Sequence, residues 1–350
     1  MRSSLESILA DRVLIVGYGS IGQRHMRVVR DALPTADIHL LRRTLPDQPV
    51  DGAGSVYSQL KDALGFAPQL AVVASPASEH LRVATALVAQ GCHVLIEKPL
   101  CLPDDEDVSL LEARAARPDV HLQVGYNLRF SSSLMRFRKL IHENFLGQVL
   151  SVRCEVGQYL PSWRPSQNYR QSVSVQRALG GGVLMELSHE LDYLQWIFGR
   201  CQWVNAYLGR HSALETDVED TAQLTLGHIH RDSGKGVVSA LLMDFYRHDT
   251  TRRCTAICEQ GSVMWDAVAG QVTIQRVGSS SAELVMQADR AVQDTYALQW
   301  QSFMHAASGY NTMAASLSDA QAVMAVIRAV HQSANAKGAR VDVLVEGKDG

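Results

Sequence analysis

The chain has 350 residues, 46% hydrophobic and 20% charged, with a formal net charge of −3. That length supports two ordinary domains, each with its own core. The near-neutral balance, with no long run of one sign, excludes an electrostatic footprint for nucleic acid or an acidic membrane, and no apolar stretch reaches the roughly 18 residues that span a bilayer.

Met1–Arg12 carries Glu6 and Asp11 around the short apolar piece Ile8–Ala10 and lacks the apolar centre of a secretory signal. Arg12–Val16 is a β-branched run ending at Gly17, followed by a helix pattern from Ile21 to Leu33 that Pro34 stops. Ile38–Leu41 reads as a second strand, and Arg42–Ser55 as a polar loop. A short helix (Gln59–Leu64), a strand (Leu70–Ala74) and Ser75-Pro76 come next. A helix over Glu79–Gln90 ends at Gly91. The strand Cys92–Ile96 leads to Glu97-Lys98-Pro99, then to a helix opened by Pro103 and Asp104 and a strand at Val120–Val124. Strands alternating with helices imply parallel crossovers, hence an N-terminal Rossmann-type doubly wound parallel sheet over residues 1–125.

After Gly125 the pattern changes. A helix (Ser132–Asn144), a strand (Gln148–Tyr159), a polar aromatic loop (Leu160–Val175) and a helix over Gly182–Phe198 precede a strand-rich stretch, Val204–Val277. Two helices, Asp294–Ser308 and Asp319–Ala336, close the chain, the last with Ser318 and Gln321 as a capping box and Gly338 as its stop. The expectation is an α/β chain whose residues 126–350 form an α+β domain with a mainly antiparallel, open sheet, through which it forms a homodimer or homotetramer.

The strongest local motif is Gly17-Tyr18-Gly19-Ser20-Ile21-Gly22, which follows a strand and opens a helix. Gly17 permits the tight turn, Gly19 lets the backbone approach a pyrophosphate, and Gly22 lets helix and strand pack. Ser20 and Ile21 begin the helix whose free N–H groups face the phosphates. An acidic residue about 20 positions on normally holds the ribose 2′-hydroxyl. Arg42 and Arg43 stand there instead and can pair with a 2′-phosphate, which favours NADP over NAD.

With these landmarks the chain resembles the glucose–fructose oxidoreductase / inositol dehydrogenase family over nearly its whole length. The resemblance rests on Gly17–Gly22; Ser75-Pro76 with His80; the run from Gly91 to Glu97-Lys98-Pro99-Leu100; Gly125-Tyr126-Asn127; and Gly180–Gly182 leading to Glu186, His189 and Asp192. It implies hydride transfer between a nicotinamide and a secondary alcohol of a sugar. Ser75, Pro76, His80, Glu97 and Lys98 join the cofactor residues, Glu97-Lys98-Pro99 lines the nicotinamide end, and a cis Lys98–Pro99 peptide fits the pattern.

Oxidising an alcohol also removes its hydroxyl proton, and the protein must handle it. Lys98 can hold a developing alkoxide and His189 can accept the proton. The family usually has an aspartate shortly before this histidine. Here Met185 stands four residues ahead and Glu186 three, so Glu186 is the candidate to orient His189. Asp192 reads as structural. The loop Tyr159–Arg170 mixes aromatics, arginines and prolines, so Trp163, Arg164 and Tyr169 read as contacts for a nucleotide sugar or an acidic sugar, or as an interface segment. Tyr126, Asn127 and Arg129, where one domain passes into the next, are further substrate candidates; Arg129 reads equally as a salt-bridge partner.

Six cysteines (Cys92, Cys101, Cys154, Cys201, Cys254, Cys258) are scattered, as in a reduced, cytoplasmic chain. Cys254 and Cys258 lack a second pair, and His228 with His230 lack a carboxylate partner, so no metal site is expected. Two alternatives stay open: a cofactor-binding regulator without chemistry, and a glycoside-cleaving enzyme with a retained nicotinamide.

Overall fold

The structure is a computed structural model that describes residues 11–105, 109–165, 167–229, 234, 236–289 and 294–344. His230 and the segment preceding Asp11 lie outside the described residues.

In the first unit the strands are β1 (Arg12–Val16), β2 (Asp37–Leu41), β3 (Val56–Tyr57), β4 (Leu70–Val73), β5 (His93–Ile96) and β6 (Leu122–Val124). Between them run α1 (Ser20–Ala32), α2 (Leu60–Gly65), α3 (His80–Ala89) and α4 (Ser109–Ala116). The order is β3-β2-β1-β4-β5-β6, and every pairing is parallel. This is the doubly wound order, which reverses beside β1 and opens a crevice at the carboxyl ends of the strands. Val13, Leu14, Ile15, Val72 and Leu95 are fully buried, as required of strands covered on both faces.

The second unit begins with α5 (Ser132–His142), β7 (Val149–Gly157), α6 (Val183–Glu186) and α7 (His189–Phe198). The strands β8 (Cys201–Gly209), β9 (Thr221–Ile229), β10 (Gly236–Asp244), β11 (Thr251–Cys258), β12 (Gly261–Asp266), β13 (Gln271–Arg276) and β14 (Glu283–Gln287) follow. The chain ends with α8 (Thr295–Ala307), α9 (Leu317–Asn335) and β15 (Val341–Asp342). The sheet runs β14-β13-β12-β11-β7-β10-β9-β8-β15 and is antiparallel except where β7 meets β10. Its inner face packs on α5 and α7. Along β10, Val237, Ser239, Leu241 and Met243 are buried, whereas Val238, Ala240 and Leu242 face outward, the alternation of a sheet covered on one side.

Two expectations need correction. The segment Asp294–Ser318, assigned by sequence to the second domain, belongs to the first unit. Trp300 and Phe303 of α8 are fully buried against Val13, Ile15, Met26, Val29 and Leu40, and Val124 donates its N–H to the Ala315 carbonyl. The helix expected over Gly182–Phe198 is two helices, broken at Leu187-Ser188.

Candidate active site

The start of α1 is built by its glycines. Gly17 takes φ +85°, and a Cβ there would lie 2.5 Å from the Ala74 carbonyl oxygen. A Cβ on Gly22 would lie 2.0 Å from the Gly17 oxygen, so helix and turn pack only without a side chain. Gly19 differs: a Cβ there would meet nothing within 4 Å. Gly19 and Ser20 are exposed, Ile21 is half-buried, and no side chain caps the helix. Uncapped N–H groups beside a bare glycine form an anion cradle with room for a pyrophosphate. Nearby, Ser75 has a buried hydroxyl with no hydrogen-bond partner among the described residues, and Pro76 starts the 3-10 turn Ala77–Glu79. A glycine cradle and an orphaned hydroxyl at the carboxyl edge of one parallel sheet fit a dinucleotide.

The same edge carries Lys98. The Lys98–Pro99 peptide is cis. The buried Glu97 carboxylate lies 2.6 Å from His25 Nε2 and accepts the Lys98 backbone N–H at 3.2 Å. His25 Nδ1 has no partner among the described residues, so the ring donates from Nε2. His25 also meets Tyr296 of α8 edge-on at 5.4 Å, and Arg24 stacks over that ring at 4.8 Å. From the other side His80 places Nε2 2.8 Å from the Ser75 carbonyl and Nδ1 2.9 Å from the Pro99 carbonyl. Burial pulls the His80 pKa below its usual range, against the two carbonyls and Glu97. Glu97 and His80, expected among the cofactor residues, brace the turn from both sides. Their polar atoms hold the turn that presents Lys98.

At the end of β2, Arg42 is half-buried and Arg43 exposed. Neither side chain has a hydrogen-bond or ion-pair partner among the described residues, and the Arg42 backbone N–H is tied to the Tyr57 carbonyl.

In the second unit, Gly180–Gly182 turns the chain into α6. Gly180 and Gly182 take φ +87° and +111°, and a Cβ on Gly182 would lie 2.4 Å from Glu219 Oε1. That carboxylate accepts the Leu184 N–H, and burial raises the Glu219 pKa. Glu186 closes α6 and is half-buried, its Oε1 accepting from the Ser174 hydroxyl at 3.0 Å. His189, also half-buried, opens α7. Because the helix breaks between them, Glu186 and His189 are not neighbours on one continuous helix face.

The remaining candidates are mostly structural. Arg129, expected as a substrate contact or equally as a salt-bridge partner, is the latter: it is 4% exposed and forms a bidentate pair with Asp192 at 2.6 and 2.9 Å, with Asp319 at 3.2 Å. Burial disfavours the Asp192 charge and raises its pKa, with Arg129 opposing the shift. Tyr126 is fully buried, and the buried Asn127 donates to Thr295 Oγ1. Trp163 packs edge-on against Phe245 at 5.3 Å and donates its indole N–H to the Gln158 carbonyl, so it anchors the loop. The Tyr169 hydroxyl accepts from Glu215 N–H, while Arg170 pairs with Glu215 and stacks on Tyr169. Arg164 remains: half-buried, with no side-chain partner among the described residues.

Sequence reasoning missed His25, Ser174, Glu219 and Tyr296. Only His25 carried a signal, since it shares the buried stripe of α1 with Gly22, Met26 and Val29. Among the described residues there is no cluster able to hold a metal and no helix long and apolar enough to cross a membrane.

Residues 12–126 match the model of an oxidoreductase family with an NAD-binding Rossmann fold, and residues 134–264 that of the GFO/IDH/MocA C-terminal domain. The rhizopine catabolism protein MocA of Rhizobium meliloti is 28% identical over 194 residues, 54% of this chain and 57% of that protein. Levoglucosan dehydrogenase of Pseudarthrobacter phenanthrenivorans is 30% identical over 138 residues, 39% of this chain and 34% of the relative. These alignments thus span about half or less of the relatives' own length. The WlbA dehydrogenase from Bordetella pertussis, solved with NADH and UDP-GlcNAcA, superposes with a TM-score of 0.77 at 21% identity, over 96% of this chain and 99% of that one. At that identity the likeness shows a shared fold.

Proposed function

The chain belongs to the GFO/IDH/MocA oxidoreductase family, and we propose that it is a nicotinamide-dependent dehydrogenase acting on a secondary alcohol of a sugar, with a nucleotide sugar or an acidic sugar as substrate. The observation that carries this reading is the carboxyl edge of the first unit's sheet. The anion cradle at Gly19 and the braced turn presenting Lys98 stand at strand ends of the same parallel sheet. A bound nicotinamide supplies the hydride acceptor or donor. The chain's own residues handle the proton. The Lys98 ammonium donates to the alcohol oxygen and holds the charge that develops there, and His189 takes up the hydroxyl proton. Glu186, three residues ahead of His189 in sequence though on a separate helix, is the carboxylate we assign to support it in that role. The half-buried Arg164 offers a guanidinium to a carboxylate or phosphate of the substrate.

The cofactor we propose is NADP. Arg42 and Arg43 replace the acidic residue that would hold a free 2′-hydroxyl. Six buried cysteines that form no disulfide support work in the reducing cytoplasm. Homo-oligomerisation through the outer face of the second unit's sheet completes the reading.

The deciding experiment is fluorescence titration with NADPH and NADH, followed by a turnover screen with levoglucosan, inositol and UDP-linked sugars. NADPH should bind more tightly, with Arg42→Ala abolishing the preference. Lys98→Met should keep nucleotide binding and lower kcat by about 10²–10⁴-fold. Tighter NADH binding removes the NADP assignment alone; binding of neither nucleotide overturns the whole reading.

A further inference from the structure

We propose that Ser174 is a positioning residue that fixes the Glu186 carboxylate, and that it accounts for a glutamate standing where the family pattern has an aspartate. The proposal rests on the reading of Glu186 as part of the proton path.

Ser174 lies on the 3-10 turn Val173–Val175 and is 1% exposed. Its hydroxyl donates to Glu186 Oε1 at 3.0 Å, and its carbonyl accepts the Gly182 N–H at 3.0 Å. The Glu186 N–H in turn bonds to the Gly182 carbonyl at 2.9 Å. One serine is thus linked through its side chain to the carboxylate and through its backbone to the turn that begins the carboxylate's helix. The approach depends on bare glycine. A Cβ on Gly181 would stand 2.4 Å from the Val173 oxygen and 2.8 Å from the Ser174 carbonyl carbon. Glu219 pins the far side of the turn by accepting the Leu184 N–H.

The side-chain length follows from this frame. Glu186 closes α6, and its carboxylate must reach back to a hydroxyl on a separate turn 12 residues earlier. An aspartate would stop about 1.5 Å short. Glutamate and Ser174 therefore form one unit: the longer arm reaches, and the buried hydroxyl removes the rotational freedom that the extra methylene adds.

The test is a double-mutant cycle of Ser174→Ala and Glu186→Gln, with Glu186→Asp beside it. It is read by urea unfolding and by kcat on the best-turned-over sugar among levoglucosan, inositol and UDP-GlcNAcA. Ser174→Ala should lower kcat about three- to tenfold with KM for the nucleotide unchanged, the loss expected for one hydrogen bond. Glu186→Asp should match it. In the Glu186→Gln background, which keeps an oxygen for the hydroxyl but no carboxylate, Ser174→Ala should have no further effect on kcat. The unfolding shifts of Ser174→Ala and Glu186→Asp, each of which breaks the bond, should be less than additive. An undiminished Ser174→Ala effect on kcat in that background, or additive unfolding shifts, overturns the positioning role while leaving Glu186 in the proton path. Wild-type turnover by Glu186→Gln removes Glu186 itself, and the inference goes with it.

Discussion

At the scale of single residues, burial decides which titratable groups serve the fold. His228 on β9 is 1% exposed, with Nδ1 3.0 Å from the Gly199 carbonyl and Nε2 2.8 Å from Ser239 Oγ. A neutral ring satisfies both, donating from Nδ1 and accepting at Nε2. Burial pushes its pKa down to about 4, the Gly199 carbonyl opposing only in part. An unfolded histidine takes its proton near pH 6.5, so the unfolded state binds the proton first as pH falls. The stabilisation is complete above that value and is lost as pH falls through about 4. It amounts to roughly 3 kcal/mol at its largest. Urea unfolding from pH 7 to pH 4 should show this slope, and His228→Gln should flatten it in part. His80, His93 and His121 are pushed the same way by burial and keep the remainder. An unchanged slope in the variant would assign acid sensitivity to other groups. Arg129 teaches the same lesson from another side. The sequence left its guanidinium open between substrate and salt bridge, because its partner Asp192 lies 63 positions away. Pairing at that distance is a property of the packed chain, and no local pattern reports it.

At the scale of elements, the glycine turn separates fold from binding. Gly22→Ala would place a methyl 2.0 Å from a backbone oxygen, whereas Gly19→Ala would place one where no protein atom lies within 4 Å. Gly22→Ala should cost about 1–3 kcal/mol or more, read as a lowered melting temperature. Gly19→Ala should leave melting unchanged and weaken NAD(P)H binding at least tenfold. A Gly19→Ala protein that binds normally would mean that no ligand approaches there. This turn was legible because its constraints act between near neighbours: a tight strand-to-helix reversal needs glycine whatever surrounds it. The break between α6 and α7 was not. Gly182–Phe198 reads as one helix in the sequence, whereas Glu219 and Ser174, from elsewhere in the chain, fix the start of α6 and its last side chain, and no local pattern reports those contacts. Nor could periodicity place α8. Its apolar Trp300 and Phe303 announce burial, but an apolar face does not say which core receives it.

At the scale of the whole molecule, the second unit's sheet has one face under helices and the other open. On the open face Tyr207 of β8 and Val238 and Leu242 of β10 are 48%, 43% and 45% exposed, on the two strands that flank β9. Val238 lies opposite Ser151 and Gly227, Leu242 opposite Glu155 and Gln223, and Tyr207 opposite Gln223, so the apolar side chains are interleaved with small and polar ones. A flat surface of this composition suits a second copy of itself: a two-fold contact repeats each patch, and a specific interface needs about 800 Å² from each partner. Light scattering should therefore give a mass two or four times the 38.4 kDa chain. Val238→Glu with Leu242→Glu sets four carboxylates into each two-fold contact and should return the single-chain mass with far-ultraviolet circular dichroism unchanged. Nucleotide binding by that variant should stay intact, because the cradle at Gly17–Gly22 belongs wholly to the first unit. A double variant that keeps its oligomeric mass would move the interface off this face.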